Sequence, residues 1–137
     1  MSQFPTHRHL ASWAGMCPGN DESAGKRRSG KTRKGSKWLR SALIEAAYAA
    51  ARSRGTYLAA HYARFRGRRG SKKAAVAVGH SILVICYHVL EREVPYEELG
   101  EDYLDQRRSG EAYAKRLVRQ LERLGHKVAL EPLPLSA

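Results

Sequence analysis

The segment Ala74–Leu90, AAVAVGHSILVICYHVL, constrains the fold more than any other stretch. It is apolar on nearly every side of a helical wheel, so a helix there needs neighbours on more than one side. It runs for 17 residues, and Gly79, His80, Ser81 and His88 interrupt it. A membrane span takes about 20 mostly apolar residues. The reading is therefore the buried central helix of a bundle, over Ser71–Glu91, with no membrane partner.

The flanking sequence supplies those neighbours. Thr6 is placed to cap a short helix over His7–Ala14, with Leu10, Trp13 and Ala14 as its apolar face. Ser36 is a good N-cap for a helix over Lys37–Ser53, where Leu39, Leu43, Ala46, Ala47 and Ala50 fall on one stripe. A further helix over Tyr57–Arg66 puts Leu58, His61, Tyr62 and Phe65 on one side, and Gly67–Gly70 reads as a basic turn. A last helix covers Ser109–Leu124, with Tyr113, Leu117, Val118, Leu121 and Leu124 facing inward. Gly125 suits its end. His126–Leu130 alternates like a short strand, and Pro132 and Pro134 end order. The expected fold is mostly α: a small helical domain with an irregular Gly-rich basic loop or short hairpin near the N-terminus, and a short C-terminal strand. Residues 1–105 form the domain and 106–137 a helix and tail extension of it. At 137 residues one small domain is what the length supports.

Charge narrows the partner. The chain has 25 Lys and Arg against 13 Asp and Glu. The excess sits wholly in the first two-thirds, since residues 91–137 hold eight basic and ten acidic residues. A segregated excess makes a directed field that steers a polyanion to one face. The densest run, Lys26–Arg40, carries Lys26, Arg27, Arg28, Lys31, Arg33, Lys34, Lys37 and Arg40. These eight are the candidate nucleic-acid-binding residues. Gly25, Gly30 and Gly35 would let the backbone approach a ligand closely, and Ser29, Thr32 and Ser36 offer hydroxyls to phosphate oxygens. The stretch Glu22–Gly35 lacks helical periodicity; it is either an irregular loop or a hairpin turning at Ser29-Gly30.

Several chemistries are excluded. Gly25–Thr32 fits the pattern G-x-x-x-x-G-K-[ST], but turn residues precede it and Arg33-Lys34-Gly35 follows, where a phosphate-binding loop needs a strand and then a helix. The histidines are not spaced as metal ligands, and His80 and His88 read as hydrogen-bonded core residues. Cys17 and Cys86 are too few for a disulfide framework and lack a recognisable base partner. No metal site is expected in this chain. The first 15 residues lack the apolar run of a signal peptide, so a reduced, cytoplasmic, nucleoid-associated setting is the default. Ser23 lies between turn residues and cations, where Lys26 and Arg27 would stabilise charge on a phosphoryl group under attack.

The block from His9 to Ala50 resembles the C-terminal domain of the insertion-sequence 110/116/902 transposases, relatives of the Piv DNA invertase. Leu10, Ala11, Trp13, Gly15, Pro18, Glu22, Ser23, Gly25, Lys26, Gly30, Lys34, Gly35, Leu39, Arg40, Leu43, Glu45, Ala46 and Ala47 carry the resemblance, and Lys72–Tyr96 is similar to the second half of that domain. Ala24 departs from the pattern, where glycine is commoner. The resemblance implies a DNA recombinase in which Ser23 attacks DNA. It also implies magnesium held by a separate RuvC-like domain, multimers of transposase chains and, in some members, a structured guide RNA. Met1 stands where that C-terminal domain begins, so the reading is of a split or truncated transposase that binds nucleic acid and does not recombine it alone. A binding module for DNA or structured RNA without chemistry, and a small basic RNA-binding protein of ribosomal type, remain as alternatives.

Overall fold

The computed structural model describes residues 2–19, 21–107 and 110–131, with backbone alone for Asp21, Arg27, Glu111 and Ala112. Its residues fall into two compact units, 1–102 and 103–137. The first holds α1 (His7–Trp13), β1 (Asp21–Ser23), β2 (Lys26–Ser29), α2 (Lys37–Ala50), α3 (Tyr57–Arg69) and α4 (Ser71–Arg92).

The apolar run is the central helix expected. α4 is long and apolar enough to cross a membrane by length and composition, and here α1, α2 and α3 all pack on it. Its buried residues are Ala74, Ala75, Val78, Gly79, Leu83 and Tyr87. Small residues let the neighbours come close. A Cβ on Gly79 would lie 2.9 Å from Met16 Cε and 3.1 Å from the Leu43 carbonyl oxygen. One core cluster joins Leu10, Ala11, Ala14 and Met16 to Leu43, Leu83 and Tyr87. The other joins Ala47 and Tyr62 to Ala74, Ala75 and Val78. Burying a large apolar side chain contributes about 1.5–3 kcal/mol, so these clusters supply the main driving force.

Helix boundaries follow local chemistry. Ser36 Oγ accepts from the Leu39 amide at 3.4 Å and starts α2. Thr56 Oγ1 accepts from the Ala59 amide at 3.3 Å and starts α3. Thr6 stands at the cap position of α1, but its hydroxyl bonds the His9 ring at 2.8 Å instead. The expected basic turn at Gly67–Gly70 is corrected: α3 runs through Gly67 to Arg69, and only Gly70, at φ 81°, breaks the chain before Ser71. A glycine inside a helix costs about 1 kcal/mol against alanine and does not by itself end it.

Two other expectations change. The hairpin turns at Ala24-Gly25 and not at Ser29-Gly30, because Ser23 pairs with Lys26. Trp13 does not face the core; it is exposed and rests on Phe4 at 5.5 Å between ring centroids. Beyond α4, Glu98 gathers the chain. Its Oε1 accepts from the Tyr57 amide at 2.8 Å and the Gly100 amide at 3.1 Å, and its Oε2 from the Tyr96 hydroxyl at 3.0 Å. The amide and hydroxyl donors hold the Glu98 carboxyl below its ordinary range, against the opposing effect of its desolvation. Desolvation and the bond to Glu98 push the Tyr96 phenol up to about 12.

The second unit contains α5 (Tyr103–Gln106) and α6 (Gly110–Arg123). Arg116 forks onto Asp105 at 3.0 and 3.4 Å. Leu117, Leu121 and Leu124, expected to face inward, are exposed. Residues 126–131 form no strand. Ser109, Pro132 and Pro134 lie outside the described residues.

Candidate nucleic-acid interface

The basic arm between α1 and α2 is a hairpin with a pinned base. At the tip, Ala24 and Gly25 have φ of 50° and 72°. Two consecutive left-handed residues make the two-residue turn whose twist suits a hairpin. Ser23 therefore sits opposite Lys26 on one sheet face. The ladder slips by one residue: Glu22 pairs with Arg27, whereas Asp21 pairs with Ser29. Arg28 is the extra residue of this bulge. A bulge frees a residue from the alternation and re-aims its side chain, and Arg28 lines the groove described below.

At the base, backbone meets backbone. Gly19 N donates to the Lys31 carbonyl at 2.9 Å, and Pro18 bridges Thr32. A Cβ on Gly35 would come within 2.3 Å of the Gly15 nitrogen and 2.4 Å of the Ala14 carbonyl carbon. Arg40 closes the joint. Its Nη1 donates to the Gly15 carbonyl at 2.7 Å and to Thr32 Oγ1 at 2.9 Å.

Between this arm and the α3–α4 corner lies an open groove of about 840 Å³. Pro18, Arg28, Lys31, Thr32 and Arg40 form one wall. Phe65 and Arg69 come from α3, and Lys72, Lys73, Val76 and Ala77 from α4. Six cations line it, and none of its lining residues is acidic. Cations and a few apolar side chains line the same open groove, which suits a ligand that carries both charge and flat apolar faces.

The sequence-derived site divides accordingly. Arg28, Lys31 and Arg40 line the groove, whereas Lys26, Arg33, Lys34 and Lys37 are exposed outside it. The Arg27 side chain lies outside the described residues. Ser23 is exposed at the hairpin tip and does not line the groove. Of the hydroxyls expected to serve phosphate, Ser36 caps α2 and Thr32 accepts from Arg40. Gly35 spends its missing side chain on a close approach to the Ala14 and Gly15 main chain rather than to a ligand. Arg69, Lys72 and Lys73 were not singled out by the sequence reading. The signal was present in Arg66-Gly-Arg-Arg-Gly-Ser-Lys-Lys73, a second cationic run that the fold brings to face the first.

The histidines do not form a metal site; among the described residues no group of three or more His, Cys, Asp and Glu could hold an ion. His88 bonds Glu91 at 3.1 Å as expected, but it is partly exposed at the surface of α4 and not part of the core. His80 differs: its Nδ1 is buried without a hydrogen-bond partner among the described residues. Burial, then His7, holds its pKa below 6.5.

Residues 1–63 match the family model of the IS116/IS110/IS902 transposases. The matched stretch is just under half of the 137-residue chain, and over it the chain is similar to that transposase family. It spans α1, the hairpin, α2 and the first half of α3, and so includes Ser23 and the whole basic arm. It stops before Phe65, Arg69, Lys72 and Lys73, so the groove is built from both the matched stretch and the helices that follow it. No curated protein and no solved structure matches the chain.

Proposed function

We propose that the basic arm and the α3–α4 corner together bind DNA in a transposase-related reaction, with Ser23 as the nucleophile. The observation that carries this reading is the groove: six cations from three separate segments converge on it without a carboxylate. Like charges repel in the free protein, so such convergence fits a polyanionic ligand. The exposed Lys26, Arg33, Lys34 and Lys37 extend the same field along the arm. The transposase match over the arm supports DNA over other polyanions.

In this reading the groove fixes the strand and the hairpin tip presents the hydroxyl. Ser23 Oγ attacks the scissile phosphorus. A serine–phosphorus ester bond forms, one phosphorus–oxygen bond of the DNA breaks, and the serine proton ends on the departing DNA hydroxyl. Lys26, paired opposite Ser23, stabilises the charge that builds on the phosphate oxygens. A binding module without chemistry is the second reading. It is favoured by one observation: among the described residues no side chain hydrogen-bonds the Ser23 hydroxyl to act as its base.

Salt titration tests the binding. With about six phosphates neutralised, log K is expected to fall with log salt at a slope of about −5 on duplex DNA and about −4 on a single strand. A slope near zero would remove the groove from the reading. Ser23→Ala separates the two forms. With a complete family transposase supplying the metal-binding domain, loss of a covalent protein–DNA adduct at unchanged affinity supports the nucleophile. An adduct that survives Ser23→Ala rules it out.

A further inference from the structure

We infer that the groove holds an unpaired nucleic-acid strand, one base of which stacks on Phe65. The inference rests on the nucleic-acid-binding reading and specifies the form of its ligand.

Phe65 is the aromatic residue of the groove lining, and it is 37% exposed. It ends a ladder along α3. Tyr57 and His61 have ring centroids 5.5 Å apart, and His61 and Phe65 lie 5.0 Å apart with planes only 23° off parallel. The spacing of four residues brings the rings onto one side of the helix. His61 thus covers Phe65 from within the helix while Phe65 borders the open groove. A flat ring arriving there prolongs a stack that already exists, and the fixed ring below it lowers the ordering cost on binding.

The electrostatics of His61 agree with this arrangement. Burial and the Arg64 charge lower its pKa, which favours the neutral ring beneath Phe65. Around the aromatic end, Arg28 and Lys31 stand on the arm, and Arg69, Lys72 and Lys73 on the helices. A strand has phosphates to meet such cations and bases to meet Phe65, Val76 and Ala77. A fully paired duplex hides its base faces inside the stack and offers its surface as phosphates and groove edges. It would leave the apolar part of this groove uncovered. A cationic channel floored by aromatic residues is the recurring solution for unpaired strands.

Fluorescence anisotropy of the full chain with four labelled probes tests this: single-stranded DNA, single-stranded RNA of the same sequence, blunt duplex DNA, and duplex DNA with an unpaired overhang. Tighter binding of a single strand and of the overhang than of the blunt duplex is expected. Phe65→Ala should weaken the preferred single strand by about tenfold or more, and by a clearly larger factor than it weakens the blunt duplex, since a stacked base is worth about 1–3 kcal/mol. Phe65→Trp should keep the preference, and Phe65→Leu should lose it although it remains apolar. A strand carrying 5-iodouracil should photocrosslink in a peptide containing residue 65. Comparison of the DNA and RNA arms assigns the strand. Unchanged single-strand affinity in Phe65→Ala, with its helical circular dichroism intact, overturns the inference and leaves the basic groove standing. Failure of wild type to bind any of the four probes removes the nucleic-acid reading itself.

Discussion

At its base, near Gly15, Gly35 and Arg40, the basic arm is pinned backbone to backbone; at its tip, from Ser23 to Lys26, it is held by a two-residue turn and a short slipped ladder. Both ends belong to one run of cations and glycines in the sequence. The base has lost its freedom to the protein: Gly35 and the Arg40 guanidinium are committed to Ala14, Gly15 and Thr32. The tip keeps an exposed serine beside an exposed lysine. One cationic, glycine-rich run thus serves anchoring in one place and presentation in the other, and the anchored end should matter more to stability.

The strongest break of this contrast is Gly35→Ala. Its new Cβ meets main-chain atoms at 2.3–2.6 Å, and main chain cannot swing aside as a side chain can. A loss of about 3 kcal/mol is expected, at the upper end of overpacking costs. In a unit of this size that lowers Tm by roughly 10–20 °C in calorimetry. A Tm within a few degrees of wild type would mean that the arm is not anchored there.

Arg40→Ala comes next. It removes both bonds of Nη1 and leaves the Gly15 carbonyl without that donor, which costs about 1–3 kcal/mol. Arg40 also lines the groove, so DNA affinity falls too. Arg40→Lys sharpens the comparison, because lysine keeps the charge but not the fork that reaches two acceptors. Affinity restored without stability would assign the charge to DNA and the geometry to the anchor. Recovery of both would show that geometry is unimportant.

How much of this was legible follows the same division. The helices could be read because their signals are periodic and local: the apolar run of α4, the cap at Ser36, the stripe through Leu43 and Ala47. The arm's cations were legible as a run, but their assignment was not. Nothing in the sequence of Arg40 separates a phosphate contact from a clamp on a carbonyl 25 residues away. Gly35 could have been a ligand's close approach or, as it is, the protein's own. The second wall of the groove was hidden because Arg69, Lys72 and Lys73 come to share a groove with Arg28 only in the folded chain, about 40 residues further along the sequence. The outward face of α6 was misread for the opposite reason: periodicity gives an apolar face but not what covers it.

Lowering pH perturbs the helical body and not the arm, and so tests the comparison from the other side. His61 and His80 titrate below 6.5 in the folded protein, through burial first and then through Arg64 and His7 respectively. The unfolded chain therefore takes up protons first as pH falls through 6.5, and stability drops below that point until the folded pKa values are passed. Urea midpoints at pH 7.5 and 5.5 should show the loss. His80→Asn with the same slope as wild type would clear His80 of it and leave His61.

The smallest effect is expected at the tip, from Ala24→Gly. Ala24 sits at φ 50°, the left-handed region where a Cβ crowds the following carbonyl at a cost of roughly 1–2 kcal/mol. Glycine relieves that strain but gives the unfolded chain more freedom, which takes back about 0.4–1 kcal/mol. A net gain of about 0.5 kcal/mol is expected, read as a small rise in the urea midpoint. Because Ser23 and Lys26 keep their pairing across the same turn, DNA affinity should not move. A loss of stability in Ala24→Gly would show that the tip is held by its alanine side chain rather than by the turn, and the contrast between an anchored base and a presenting tip would fail at the point where it is easiest to measure.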